Sequence, residues 1–448
     1  MSAEVKVEEI TVVGNTANGN FDIMPLVTEF NIIESLDFPC RRISIAVNDS
    51  VNFIDRLRGN ELIRIRIKPK TTDDQTYTYE VRAYRLTNRI RMEKKEAYTI
   101  ECVSPEFMMN EITSIFKSYK NKKSHEIVKE LLETNLSISS SRTKIESTAD
   151  KVQCVIPNWR PFEVINWLGG KAVRSANNKQ GGFIFFENQF GYNYTSFDKI
   201  IADIKSASQL PRYRYAMKNT QPNADGQDLY TIESIAYPSL FDALGNLRNG
   251  TWAGIFTGIS LDYLPLSKVP TPTGNKQIPY SGVVFKLTEI YNRMEHLGNQ
   301  NPYTQTGDGA AYDTLLNSVR RNRYRTNQLH LWDKNTGTTA GTANPNTGEV
   351  PVRWEETAIY NYCRKNNFSH IKLDMKVPGN IKLTPGKGVE IEIPKMINQN
   401  SSSTNIELDR IYSGKYVIAG VRHKFAGGNT LSTEITVVKD SLGVNTPA

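Results

Sequence analysis

The sequence predicts an α+β fold, mainly β, in which two similar strand-rich units flank an inserted mixed α/β stretch and long loops. Three observations carry this expectation. Apolar and polar residues alternate along short runs near both ends of the 448-residue chain, the two-residue period of a half-buried strand. Helix start signals cluster between residues 104 and 174. The run LRGNELIRIRIKPK at 57–70 also returns, in pattern, as LTPGKGVEIEIPK at 383–395.

Taken in order, RISIAV (42–47) and ELIRIRIK (61–68) read as strands with RLRGN (56–60) as a glycine turn between them. TYTYEVRAYRLTNRI and EAYTIECV read as two more around the polar turn RMEKK. Ser104, Pro105 and Glu106 supply an N-cap, a first-turn proline and an acid at the positive end of a helix through FMMNEITSIF. Ser124 is expected to cap HEIVKELLET, whose Ile127, Val128 and Leu131 share one face. A third helix starts at Pro161, with Phe162, Ile165, Leu168 and Ala172 as its apolar stripe and Lys171 and Arg174 at its negative end. FIFFENQFGYNYTSF then reads as an aromatic hairpin.

Residues 211–290 mix short strands and turns, as in DLYTIESIAYP and AGIFTGISLDY. From about 265 to 350 the chain is rich in Thr, Asn, Gly and Pro and reads as long surface loops. WEETAIYNYCRKN is helical, acidic at its start and basic at its end, and the last ninety residues return to strands. Each copy of the repeated run is followed by a two-strand unit, VRAYRLTNRIRMEKKEAYTIECV in one and YVIAGVRHKFAGGNTLSTEITVV in the other. Such a recurrence points to a duplicated β domain with other material inserted between.

A chain of this length has room for roughly three domains of about 100–200 residues. The hydrophobic fraction of 39% and charged fraction of 23% are those of a globular protein. No run approaches the roughly 18 apolar residues of a membrane span, and MSAEVKVEEI has neither the basic start nor the apolar stretch of a signal peptide. Export by the general route and stable membrane insertion are therefore not expected. Cys40, Cys102, Cys154 and Cys363 are scattered, without a CxxC spacing, and read as reduced, mostly buried thiols. A net charge of +8 permits an acidic partner, nucleic acid or a membrane surface, but in so long a chain it selects none of them.

No motif for catalysis survives inspection. A P-loop needs G-x-x-x-x-G-K-[ST], because backbone amides wrap the phosphate and a hydroxyl holds magnesium. Gly170-Lys171 is followed by Ala172, and Ile165 stands where the first glycine belongs; Gly169-Gly170 reads as a closely packed helix end. HEIVK (125–129) has Lys129 in place of the second zinc-binding histidine. The five histidines, His125, His296, His330, His370 and His423, lie in no nucleophile context. Neither Asp73-Asp74 nor Glu355-Glu356 needs a catalytic role. VRRNRYRTNQLHLW (319–332) and PRYRYAMK (211–218) interleave Arg with aromatics as a nucleic-acid surface would, though a basic face meeting solvent or an acidic protein is the plainer reading. No cofactor, metal or catalytic residue is expected.

Three stretches together resemble the baseplate central hub subunit of contractile-tailed, T-even-type bacteriophages, and more distantly the hub part of type VI secretion spike proteins. They are IPNWRPFEVINWLGGKAVRSA leading into GGFIFFENQFGYNY, then WEETAIYNYCRKNNFSHIKLDMKVPGNIKLTPGKGVEIEI, then YVIAGVRHKFAGGNTLSTEITVV. The resemblance covers most of the chain in order, and least of all 265–350. It implies two tail-tube-like β-barrel domains per subunit and a homotrimer whose six similar barrels join a threefold central spike to a sixfold tail tube. With no needle repeat after residue 440, it also implies a separate spike protein. The expected partners are that spike, the tail tube protein and other baseplate proteins, in a virion tail assembled in the host cytoplasm. No specific nucleic acid is implied.

On this reading 1–104 is the first tube-like β domain and 105–210 the inserted mixed domain. The second tube-like domain starts at 211–264, is interrupted by a loop-rich 265–353, and finishes with the helix and strands of 354–448. Exposed edges of the alternating strands are expected to build the subunit interfaces, through Leu62, Ile65, Val389, Ile391, Val417 and Val421. The function expected is structural rather than enzymatic. A tail-associated peptidoglycan-cleaving enzyme and, further off, a nucleic-acid-binding protein are the alternatives.

Overall fold

The computed structural model describes residues 3–16, 19–69, 75–215, 227–239, 242–259, 270–271, 274–275, 280–303, 316–319, 322–326, 354–395, 408–427 and 430–443. Its first unit runs β1 (Ala3–Thr16), β2 (Gly19–Asp22), β3 (Val27–Ser35), β4 (Arg42–Asp49), β5 (Leu62–Pro69), β6 (Tyr77–Arg91) and β7 (Glu96–Val103). These pair in the order β1-β5-β6-β7-β4-β3, every neighbour antiparallel, while β2 adds only to β1. The alternation seen in the sequence is the barrel's inside and outside: Ile63, Ile65 and Ile67 are fully buried in its core with Ile43, Ile45, Tyr79, Val81 and Ile100. RLRGN does not join β4 to β5 as a hairpin. A 3-10 turn at Phe53–Arg56 intervenes, and the two strands lie apart in the barrel.

The insertion comprises α1 (Pro105–Ile112), β8 (Ile115–Lys122), α2 (Ser124–Glu130), β9 (Thr143–Ile145), β10 (Val152–Trp159), α3 (Pro161–Gly169), β11 (Phe183–Asn188), β12 (Gly191–Ser196) and α4 (Phe197–Ser206). Ser104 is the N-cap residue of α1, as expected. The helix nevertheless stops at Ile112, because the β-branched and aromatic run beyond it pairs with β10 instead. Ser124 is the first residue of α2 rather than its cap; its hydroxyl is engaged by Asp150. α3 closes at Gly169-Gly170, and a Cβ on Gly169 would lie 3.0 Å from the Phe183 carbonyl oxygen, so this helix end needs glycine to lie against β11. β11 and β12 form the aromatic hairpin.

The second unit contains β13 (Arg212–Tyr215), β14 (Thr231–Ile232), β15 (Ser234–Ser239), α5 (Ala243–Asn249), β16 (Ala253–Ile259), β17 (Pro270–Thr271), β18 (Gly274–Asn275), β19 (Tyr280–Lys286), α6 (Leu287–Tyr291) and β20 (Asn322–Thr326). It ends with α7 (Trp354–Phe368), β21 (Ile371–Pro378), β22 (Gly388–Glu392), β23 (Gly414–Ala426) and β24 (Thr430–Lys439). The stretch expected to be loops therefore carries structure where it is described. β19 and β20 flank β16 in a small sheet, and Phe285, Leu287 and Ile290 pack with Ile359, Tyr360 and Cys363 of α7. Within the run VVFKLTEIY, Phe285, Leu287, Ile290 and Tyr291 belong to that core. Residues 265–269, 272–273, 276–279, 304–315, 320–321 and 327–350 of the expected loops lie outside the described residues.

The barrel of the second unit has the order β13-β22-β23-β24-β21-β15. Strand for strand this repeats β1-β5-β6-β7-β4-β3, in sequence order as well as in space. Even the irregularity recurs: a bulge at Tyr84 in β6, between Ala83 and Arg85, matches one at Ala419 in β23, between Ile418 and Gly420. One difference is that β13 runs parallel to β22. The second ring is drawn together by β14, which lies beside β13 and continues after one residue into β15 on β21.

The first barrel is not closed by its own strands. β1 and β3 are bridged by the final hairpin, with Gly420–Ala426 of β23 on Ser35–Glu29 of β3 and the start of β24 on Ala3 and Glu4. Phe425 and Leu431 thereby enter the first core, while Tyr416, Ile418, Val421, Ile435 and Val437 of the same hairpin fill the second. Phe425 stacks on Phe30 at 4.3 Å. Phe425→Ala should lower the free energy of unfolding by about 3–5 kcal/mol, measured by urea titration with circular dichroism. Phe116→Ala, at a side chain 80% exposed on β8, should change it by less than about 0.5 kcal/mol.

Candidate functional site

The six residues expected at interfaces are not at open edges. β5 is hydrogen-bonded on both sides, by β1 and β6; β22 by β13 and β23; β23 by β24 on one side and by β22 and then β3 on the other. Ile65 belongs to the first core, Val389, Ile391 and Val421 to the second, and Val417 packs among Leu36, Phe186 and Ile204 between the barrels and the insertion. Leu62 is half-buried. A strong alternating pattern marks a strand with one fully covered face, and such strands lie inside a barrel rather than at its margin. These six residues build the barrels themselves.

The Arg-Tyr stretch at 211–218 is similarly occupied where it is described. Arg212 lies 3.1 Å from Glu390 and 3.4 Å from Glu392, and Arg214 lies 3.0 Å from Glu392, along the β13–β22 seam. The side chains of 319–332 lie outside the described residues, save for the exposed Val319. His125 takes the Thr148 amide at 2.9 Å on Nδ1. Among the described residues no group of three or more His, Cys, Asp and Glu could hold a metal ion, and no helix is long and apolar enough to cross a membrane. All four cysteines are buried.

Two buried polar nodes join the parts, and neither shows as a motif. At the first, the backbone N–H of Arg41 donates to Glu187 at 2.8 Å. The Arg41 guanidinium donates to Glu34 at 2.8 Å and to the Asn188 carbonyl at 2.8 Å, and the Ser104 hydroxyl donates to Glu187. Thr384, from the LTPG turn, donates to Glu34 at 2.8 Å, and Asn188 donates to the Pro385 carbonyl at 3.2 Å. Gly386 holds a φ of +81°, and a Cβ there would lie 2.9 Å from the Phe186 ring. The turn expected as part of a strand motif is thus the seat of the β11–β12 hairpin. Beside it, His423 meets the Leu383 carbonyl at 3.2 Å through Nε2 and Thr433 at 3.1 Å through Nδ1. A carbonyl only accepts, so Nε2 carries a proton and donates to it. Burial pushes the His423 pKa down to about 4.

At the second node Arg364, fully buried on α7, lies 2.9 Å from Asp440 and 3.3 Å from Asp198, and donates to the Glu295 carbonyl at 3.0 Å. Tyr360 donates to Asp198 at 2.7 Å, and His296 and the Leu297 amide reach Asp440 at 2.9 and 3.1 Å. Burial works against the Asp440 carboxylate, but His296 and Arg364 outweigh it and hold its pKa well below the ordinary range. The node ties α4, α7, the segment after α6 and the end of β24. Its acids are held by an arginine, a phenol, an imidazole and backbone amides, an arrangement that fixes these segments to one another.

The outer surface carries a different feature. Beyond Ala83, β6 leaves β5 and pairs only with β7 among the described residues. Tyr84, Leu86, Ile90 and Met92 stand exposed along this free arm, interspersed with Arg85, Arg89 and Arg91. An unpaired, partly apolar edge is the kind of surface on which a further strand adds.

No protein-family model and no curated protein matches the sequence. Solved structures do. The tail protein from Neisseria meningitidis MC58 aligns over 99% of this chain and 98% of its own, with a TM-score of 0.52 and 9% identity. The 43 kDa tail protein of prophage MuSo2 from Shewanella oneidensis aligns over 97% of this chain and 99% of its own, with a TM-score of 0.52 and 11% identity. At such identities the likeness is one of fold, and it extends end to end.

Arg364→Met should destabilise the protein by about 3–5 kcal/mol, since it strands two buried carboxylates; a urea titration at neutral pH measures it. His423 makes stability depend on pH. An unfolded histidine protonates near about 6.5 while the folded one resists to about 4, so its contribution is complete above the higher value and is lost as pH falls between the two. Unfolding free energies for the protein and for His423→Gln should therefore diverge over that window by on the order of 3 kcal/mol, with the wild type falling more steeply.

Proposed function

We propose that this chain is a structural, non-enzymatic protein of a contractile phage tail, a homotrimeric baseplate hub that joins the central spike to the tail tube. The observation that carries this reading is the duplication: two barrels with one strand order and one bulge position in a single chain. Three such chains in a closed ring present six similar barrels while keeping threefold symmetry. They can meet a sixfold tube on one side and a threefold spike on the other, a match that a single-barrel subunit does not provide. The end-to-end likeness to two tail proteins supports the same setting, a virion tail. So do the buried nodes, which lock both barrels and the insertion into one block able to bear load between spike and tube.

In this reading the partners are two further copies of the chain, a spike protein, the tube protein and neighbouring baseplate proteins. Light scattering of the purified chain should give three times its 50.7 kDa mass, and averaged electron micrographs should show a ring with six-part outer modulation. A particle of one chain, or an even-numbered ring without threefold symmetry, would overturn the proposal.

A further inference from the structure

The insertion has an open edge of its own, on a sheet with one covered face. Inside, Ile115 and Tyr119 of β8 pack with Val152, Cys154 and Ile156 of β10 in the insertion's core. Outside, Phe116 stands opposite Pro157, and both are exposed. β8 pairs with β10 alone among the described residues. Alternate N–H and C=O groups along its other margin therefore meet no strand. Just before it in the chain, Met109 and Ile112 of α1 are 45% and 77% exposed. Apolar side chains left in water beside an open strand margin mark a surface that a partner covers.

Charge selects the partner. The run KSYKNKK (117–123) carries Lys117, Lys120, Lys122 and Lys123, and the acids nearby are already engaged. Glu130 is held by Lys117, Glu111 by Arg160 at 2.9 Å, and Glu126 by the Lys123 backbone N–H at 3.1 Å. Lys120 and Lys122 are exposed and enter no ion pair among the described residues. Lysines on a margin repel a like margin, which disfavours a second copy of β8 and leaves a strand of opposite sign welcome. A margin that was only guarded would need no exposed Phe and Ile beside its lysines.

We infer that residues 115–120 of β8 take an extended acidic segment of a different tail protein as a third strand of this sheet. Backbone hydrogen bonds supply the ladder, Ile112 and Phe116 meet apolar side chains of the incoming strand, and Lys120 and Lys122 meet its carboxylates. The inference rests on the tail reading for the source of the partner, while the site belongs to the insertion and to neither barrel.

The test compares the chain free and in purified tails that carry it. In tails, hydrogen exchange at the amides of 115–120 should slow by about tenfold or more. A carbodiimide, which joins an amine to a carboxylate with loss of water, should couple Lys120 or Lys122 to an Asp or Glu of another protein. The variant Phe116→Glu with Lys120→Glu and Lys122→Glu changes only exposed positions. It should melt with the wild type and form the same oligomer, yet lose the protection and the coupling. Amides at 115–120 that exchange equally fast free and in tails, with no coupled lysine, overturn the inference and leave the hub standing. Coupling to another copy of this chain assigns the edge to a different occupant and overturns it as well. So does binding of the free chain to phosphatidylglycerol vesicles through these residues without protection in tails. Tails that contain none of this chain overturn the hub reading and this inference together.

Discussion

Every strand in a ring must find a partner on both sides, and in this protein that requirement is met for the first barrel by the last hairpin of the chain. β1 and β3 do not reach each other. The gap between them is spanned by β23 and β24, which also form part of the second barrel. The cores follow from this arrangement, since Phe425 and Leu431 face one interior while Val421 and Ile435 face the other. The insertion follows too: its aromatic hairpin rests on a turn, Leu383–Gly386, that the shared hairpin holds through His423.

Duplication explains why the barrels agree and divergence explains where they do not. The cores keep their alternation because inward positions have no freedom to become polar without loss of about 2 kcal/mol or more each. The bulge is kept because an extra residue on one strand bends it out of its own barrel, and that bend aims β23 at β3. Outside these constraints the copies have drifted apart. A long insertion with its own core follows the first barrel. A small sheet packed on α7 interrupts the second, and a parallel strand stands where an antiparallel one stands in the first.

Much of this was legible in the sequence. ELIRIRIK and RISIAV announce strands through strict alternation, Pro161 announces a helix start, and the recurring Gly-turn-and-strand pattern announces the repeat. What was not legible has a common cause. Arg41 meets Glu187 from 146 residues away, and Arg364 sits in an unremarkable helix whose partners, Asp198 and Asp440, come from either side of it in sequence. Charges are paired by the fold, not by spacing, so no local pattern reports them. The edge assignment failed for a related reason: alternation says which face of a strand is buried, but not how many neighbours the strand has. Val389 and Val417 carry the pattern of an edge as well as that of an interior strand.

The shared hairpin also sets an order of events. A chain made from its N-terminus exposes residues 3–103 long before residues 414–439 leave the ribosome, at synthesis rates of about 5–20 residues per second. During that interval, tens of seconds at the slower end of that range, the early strands hold an open sheet whose two margins wait for a hairpin more than three hundred residues downstream. Contacts at such separation are slow to form. A chain released before residue 414 keeps both margins bare, so the state of the first barrel reports whether translation has passed the shared hairpin.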